Sequence, residues 1–343
     1  MAREHITMKD VAEAAGVSVM TVSYALRGSR KITEATRQRV SAAAERLGYQ
    51  RDPLLTRLSS YRSKKRRTEK GTALAWLNLH RTEATWNFRG SHVLESLEGA
   101  RERARNLGYR LDSFSLHEQG GWSALSRVLR SRGIDGVILG QPPPGVDEAR
   151  LDWKYFATVA IGRAIREPEL PRVLLNHVEC VGKTMERMWV RGHARVGLVM
   201  EEGECVKNGY RNVGGYYGFC EKRKVAQTYR IPPYTPKKLN RRGLASWIRR
   251  YNVDGILVHR PDQMAKMLPA LGFSVPGDIG YAHISKHERD SRLSGLFFDP
   301  AHLGSWAVDL VHWLLDREEY GLPEPSPALM LTSDDWVEGT TLR

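Results

Sequence analysis

An α/β protein with a small all-helical head is the fold class that three features of this 343-residue sequence predict. Helix-period apolar positions broken by a single glycine open the chain. From Thr72 onward, short apolar strands alternate with amphipathic helices. The strand around Ile134-Asp135-Gly136-Val137 is answered by a similar one around Val253-Asp254-Gly255-Ile256, which implies two like lobes. The organisation that follows is a three-helix head over residues 1–50, a connecting segment over 51–71 and a two-lobed body of parallel sheets flanked by helices over 72–343.

The head is built from three local signals. Thr7 is suited to cap a helix in which Met8, Val11, Ala12 and Ala15 share one face, and Gly16 stops it. Ser18 caps a second helix from Val19 to about Leu26, with Val22, Ala25 and Leu26 inward. Thr33 opens a third through Val40, Ala43, Ala44 and Leu47. Two helices joined by so tight a turn have helix-turn-helix geometry, in which the second helix offers its N-terminal side chains to the DNA major groove. Val19, Met20 and Tyr24 are the expected exposed readers, the first two suited to a thymine methyl and Tyr24 to a base or a phosphate. Ser18, Thr21, Ser23, Arg27, Arg30 and Lys31 are expected at phosphates, which position without specifying.

Charge agrees with a polyanionic partner. The net charge is +14, and residues 1–70 alone hold 16 Lys and Arg against 7 Asp and Glu. Positive charge concentrated beside a folded domain favours nucleic acid, with an anionic membrane surface as the second option. No apolar run approaches the roughly 18 residues that a bilayer span needs, and Met1-Ala2-Arg3-Glu4-His5 leads into a charged segment without a signal-peptide core, so a cytoplasmic protein is expected. Cys180, Cys205 and Cys220 lack paired metal or redox spacing and read as reduced thiols. No metal or cofactor is expected.

The run from Thr7 to Leu26 resembles, almost position by position, the N-terminal signature of the lactose-repressor (LacI/GalR) family, and the similarity continues through Thr33, Thr36, Arg37 and Val40 to Leu47-Gly48-Tyr49. The resemblance implies a DNA-binding transcriptional regulator with Thr7 and Thr33 at the DNA, and a hinge helix after Tyr49 that folds on the operator. Counted from Tyr49, Leu58 matches the family leucine that wedges into the minor groove, with Arg57 beside it, and Pro53 suits a first helical turn. The chain departs from the family by having Leu55-Thr56 where an Ala-Arg pair is common. Residues 62–70 read as a solvated basic linker that strengthens phosphate binding, with a nuclear-localisation patch as the alternative.

In the body, strands are expected at Thr72–Leu79, Tyr109–Leu116, Ile134–Leu139, Arg195–Met200 and Val253–His259, and helices at His92–Leu107, Trp122–Arg132, Cys180–Arg191 and Gly214–Lys222. Ligands of open parallel sheets bind beyond the carboxyl ends of the strands, so the cleft between lobes is the default effector site. Leu107-Gly108-Tyr109, Gly192-His193-Ala194-Arg195-Val196-Gly197, Val275-Pro276-Gly277-Asp278-Ile279 and Leu303-Gly304 extend the resemblance over almost the whole chain. It implies a periplasmic-binding-protein-like core with discontinuous lobes, the first spanning about 72–165 and 297–322, the second about 166–296 and 323–343.

Two departures bear on the ligand. The arginine that many sugar-binding members carry before a Gly-aromatic pair falls, aligned on Gly218-Phe219, at Gly215, and the acidic residue that usually follows the strand after Val275-Pro276-Gly277-Asp278-Ile279 falls at Ser285. Arg211, His259, Arg260, His283, Ser285 and Lys286 are the remaining candidates from the second lobe, with Asn78, Trp86 and Arg89 from the first. The effector expected is therefore a sugar or an anionic metabolite. The resemblance also implies a homodimer reading a palindromic operator as a repressor, with activation as the alternative. A transporter's solute-binding protein would need an export signal, and an enzyme would need a nucleophile or carboxylate cluster near the head; neither is evident, and no enzymatic activity is expected.

Overall fold

A computed structural model describes residues 6–26, 32–49, 72–88, 91–287 and 292–343. The head contains α1 (Met8–Ala15), α2 (Val19–Leu26) and α3 (Glu34–Leu47). Val11, Val22 and Val40, each fully buried, meet at its centre with Ala12, Ala15, Ala25, Ala43 and Ala44. Small residues at this junction let three short helices approach closely while leaving their polar faces to solvent.

The body has two sheets. The first is six-stranded and parallel throughout, in the order β10-β5-β4-β3-β1-β2, from β1 (Ala73–Asn78), β2 (Arg110–Ser115), β3 (Gly136–Leu139), β4 (Ala157–Ile161), β5 (Arg172–Leu175) and β10 (Ala328–Leu331). Its helices include α4 (His92–Asn106), α5 (Trp122–Ser131) and α11 (Ala301–Asp316). Leu74, Trp76 and Ile138 bury one face against α4 and α11, whereas Ala75, Leu77 and Val137 bury the other against α5. The alternation along β1 and β3 therefore serves a sheet covered on both sides.

The second sheet runs β11-β9-β8-β7-β6, from β6 (Val196–Val199), β7 (Gly255–Val258), β8 (Gly280–Lys286), β9 (Gly295–Phe297) and β11 (Trp336–Val337). It is parallel except for the antiparallel edge pair of β9 and β11. Around it lie α6 (His177–Val190), α7 (Glu202–Lys207), α8 (Arg211–Lys222), α9 (Arg241–Tyr251) and α10 (Pro261–Ala270). No helix among the described residues is long and apolar enough to cross a membrane.

The division between the sheets differs from the sequence expectation. Arg172–Leu175 and Ala328–Leu331, assigned above to the second lobe, pair with each other in the first sheet. The reason is that β5 follows β4 without an intervening helix, so the strand-helix rhythm that placed a crossing near residue 165 fails there. The chain instead leaves the first sheet after Leu175, where Asn176 caps α6 by accepting from the Glu179 N–H at 3.4 Å. It returns before α11 and crosses again between β10 and β11.

Candidate nucleic-acid interface and interlobe cleft

The helix-turn-helix is set by local chemistry. Thr7 and Asp10 form a reciprocal capping box: the Thr7 N–H donates to the Asp10 carboxylate at 2.7 Å and the Asp10 N–H to Thr7 Oγ1 at 3.4 Å. The Thr7 backbone N–H, first among several causes, holds the Asp10 carboxyl below the usual range. Gly16 ends α1 at φ 62°, a left-handed conformation that costs glycine little. Ser18 Oγ accepts from the Thr21 N–H at 3.1 Å, which fixes the start of α2 only two residues later. Thr33 caps α3 by accepting from the Thr36 N–H at 3.3 Å.

With Val22 and Ala25 buried, the opposite side of α2 faces out: Val19 is 43% and Met20 65% exposed. Neither belongs to the head's apolar cluster. Tyr24 is half-buried rather than exposed; helical side chains lean back over the preceding turn, which covers part of a long ring. Ser18 and Thr21 are hydrogen-bonded to each other, their hydroxyl oxygens 2.9 Å apart, and Ser23 is half-buried beside them. Arg27, Arg30, Lys31, Arg57, Leu58 and Arg89 lie outside the described residues.

Between the lobes lies a cavity of about 360 Å³. It collects strand ends and helix starts from both: Gln141 after β3, Ile161–Ala164 after β4, Leu174 and Leu175 of β5, His177 at the start of α6, His259 after β7, and His283 and Ser285 of β8. Glu204 and Lys207 of α7, with Asn208, and Phe298 just after β9 form part of the second lobe's wall, and His92, Pro300 and Leu303 contribute to the first's.

Of the expected effector contacts, the structure brings His259, His283 and Ser285 together in this cavity. The others fall elsewhere. Asn78 and Trp86 line a separate pocket of about 180 Å³ against α4 and β2, because β1 ends on the far side of β3 from the cleft. Arg260 borders a small recess beside Met264, since its chain has already turned into α10. Arg211 reaches towards Met330, its Nη1 3.7 Å from the sulfur, and Lys286 is buried with its Nζ donating to the Leu293 carbonyl at 2.8 Å.

Three of the cavity's imidazoles, His92, His177 and His283, are pushed towards the neutral form. Ser285 N–H donates to His283 Nδ1 at 3.0 Å, so the proton resides on Nε2, which donates to the His259 carbonyl at 3.2 Å. Both ring nitrogens are thereby committed, and burial pushes His283 down to about 3. Burial likewise lowers His177 to about 4. His92 keeps an exposed edge yet is packed closely enough that desolvation, then His287 and Lys207, takes it to about 4. His259 Nε2 lies 3.3 Å from Glu204, whose carboxyl falls to about 2, chiefly through that hydrogen bond. Among the described residues no three His, Cys, Asp or Glu side chains are grouped to hold a metal ion. Cys180, Cys205 and Cys220 are buried thiols raised by desolvation, to about 12 for Cys180 and about 11 for Cys205.

Residues 7–52 match the family model described as bacterial regulatory proteins, lacI family. The match takes in the three helices of the head. The chain is 26% identical over 216 residues to the maltose regulon regulatory protein MalI of Escherichia coli (strain K12), covering 62% of this chain. It is 28% identical over 210 residues to the HTH-type transcriptional repressor CytR of the same strain, covering 61% of this chain. These matches span 58% and 57% of the relatives' own lengths. The whole chain is similar in fold to a Lac repressor dimer bound to operator and the anti-inducer ONPF, at 18% identity, TM-score 0.53 and coverage of 99% of this chain and 100% of that one. A CelR–cellobiose complex is similar at 17% identity and TM-score 0.54, covering 97% of this chain and 100% of that one.

The structure bears on Gly215, where the resemblance implies an arginine in many sugar-binding members. A Cβ at Gly215 would lie 2.8 Å from the Val178 carbonyl oxygen and 2.9 Å from Val178 Cα. Here α8 packs directly on the backbone of α6, leaving no room for an arginine. The residues that sequence reasoning missed, Gln141, Arg163, His177, Glu204, Lys207 and Asn208, follow strands β3, β4 and β5 or lie on and just after the short α7; proximity to a strand's carboxyl end was the available signal for the first three.

Proposed function

We propose that the protein is a sequence-specific DNA-binding transcriptional regulator, not an enzyme, acting in the cytoplasm as a homodimeric repressor of a palindromic operator. The observation that carries this reading is the pair Val19 and Met20, exposed at the start of α2 in a lacI-family helix-turn-helix. Two such helices related by a two-fold axis match two half-sites. Thr7, Ser18 and Thr33 sit at the starts of the three head helices, where N–H groups and side chains suit phosphates. Arg27, Arg30 and Lys31 add charge to phosphate binding, and Arg57 and Leu58 belong to the segment that wedges the minor groove. The interlobe cleft is the effector site. A ligand bridging its walls favours one lobe arrangement, and that preference is the coupling free energy passed to the head.

Selection of bound sequences from a random duplex pool, with the full-length protein at 150 mM salt, tests the proposal. A palindrome with a flexible pyrimidine-purine step at its centre is the expected product. Recovery of no enriched motif would overturn it.

A further inference from the structure

The charge balance of the cleft is uneven. Among the described residues that line it Glu204 is the one carboxylate, and it is engaged by His259 at 3.3 Å. Arg163 from the first lobe and Lys207 from the second also line it, and among the described residues neither has a carboxylate within 4.0 Å. Arg163 reaches across the cleft: its Nε would lie 3.9 Å from a Cβ on Gly209, just beyond the end of α7 that carries Lys207. Arg172, almost fully buried in β5, donates to the Gly162 and Ile165 carbonyls at 3.2 and 3.1 Å and so fixes the loop presenting Arg163. Counting only arginine, lysine and carboxylate side chains among the described lining residues, Arg163 and Lys207 exceed Glu204 by one positive charge.

Polar atoms in the same cavity also lack partners. Gln141 Oε1, Asn208 Oδ1 and His177 Nδ1 are buried and make no hydrogen bond. Buried polar groups are seldom left so, and all three residues line this cavity. Two amide oxygens call for donors, whereas the two cations call for an anion.

Resting on the reading of this cleft as the effector site, we propose that it takes a small hydroxylated carboxylate, the acid group held by Arg163 and Lys207 and the hydroxyls by Gln141, Asn208 and His177. A cavity of about 360 Å³ suits a molecule of sugar-acid size. A neutral polyol would satisfy the amides but leave the cations unbalanced. A phosphate monoester, largely a dianion at neutral pH, would exceed the single surplus charge.

The test is a thermal-shift and calorimetric screen of the full-length protein against six- and seven-carbon acids (gluconate, glucuronate, galactonate, quinate), with glucose, hexanoate and glucose 6-phosphate as controls. At least one hydroxy acid is expected to bind tenfold or more tighter than all three controls, more weakly as sodium chloride rises. Arg163→Gln and Lys207→Gln should each weaken that acid tenfold or more without lowering the unligated Tm. Equal or tighter binding of glucose, hexanoate or glucose 6-phosphate, no salt dependence, or failure of every acid would overturn the proposal. Operator binding without ligand, measured on the same preparation, separates that failure from failure of the regulator reading.

Discussion

Replacing Gly215 by alanine or arginine tests the account of why the usual sugar-holding side chain is missing from the second lobe. A Cβ there would sit 2.8 Å from the Val178 carbonyl oxygen, 2.9 Å from Val178 Cα and 3.1 Å from Val181 Cβ, where ordinary contact begins at 3.4 Å. Two of these atoms are backbone, so no rotamer change relieves the contact and α6 and α8 must separate by several tenths of an ångström. Overpacking of this kind costs about 1–3 kcal/mol, which for a domain of this size lowers Tm by about 2–12 °C. Arginine should cost more, because its guanidinium would also have to escape a buried position. The damage should reach the cleft, since Val178 adjoins His177, whose ring lines the cavity. The assay is thermal unfolding by near-UV circular dichroism, paired with calorimetry against glucose and the acid panel. A Gly215→Arg protein as stable as the parent, and newly able to bind glucose, would refute the packing argument.

Met20→Ala should weaken operator binding by about tenfold, close to the cost of one mismatched base pair, and leave binding to random duplex within twofold; gel-shift titrations on both duplexes check this. Leu58→Ala, outside the described residues, should reduce operator affinity far more than random-sequence affinity, and equal losses would exclude a minor-groove wedge. Stability should fall on mild acidification: His177 and His283 sit near 4 and 3 when folded but near 6.5 when unfolded, so between pH 6.5 and about 4 the unfolded chain binds protons that the folded chain refuses. Each contributes a slope approaching about 1.4 kcal/mol per pH unit. Urea unfolding at pH 7, 6 and 5 should show that loss, and His283→Gln should flatten it by one proton; a pH-independent midpoint would contradict neutral, buried rings.

How far the sequence discloses this molecule depends on the distance over which each feature is built. The head is legible because its determinants lie within a few residues of one another: Thr7 with Asp10, Gly16 at the turn, Ser18 with Thr21 and the apolar periodicity of α1 to α3. Strands and helices of the body are legible for the same reason, and the expected strands overlap β1, β2, β3, β6 and β7. Lobe membership is less so, because Arg172–Leu175 is paired by Ala328–Leu331, more than 150 positions away, and no local pattern announces that partner. The cleft is the extreme case. His259, His283 and Ser285 could be proposed from the ends of the second sheet's strands, but Arg163 acquires its role only through the loop that Arg172 pins, and Lys207 through a six-residue helix without a strong periodic signature. Gly215 links the two scales: the resemblance implies an arginine where the sequence has glycine, while the contact with Val178 shows that the packing of α6 against α8 leaves no room for a larger side chain. On the reading proposed here, a ligand for this cleft finds its charge partners on both walls, at Arg163 of the first lobe and Lys207 of the second, which is why the acid group rather than a pair of hydroxyls is expected to govern affinity.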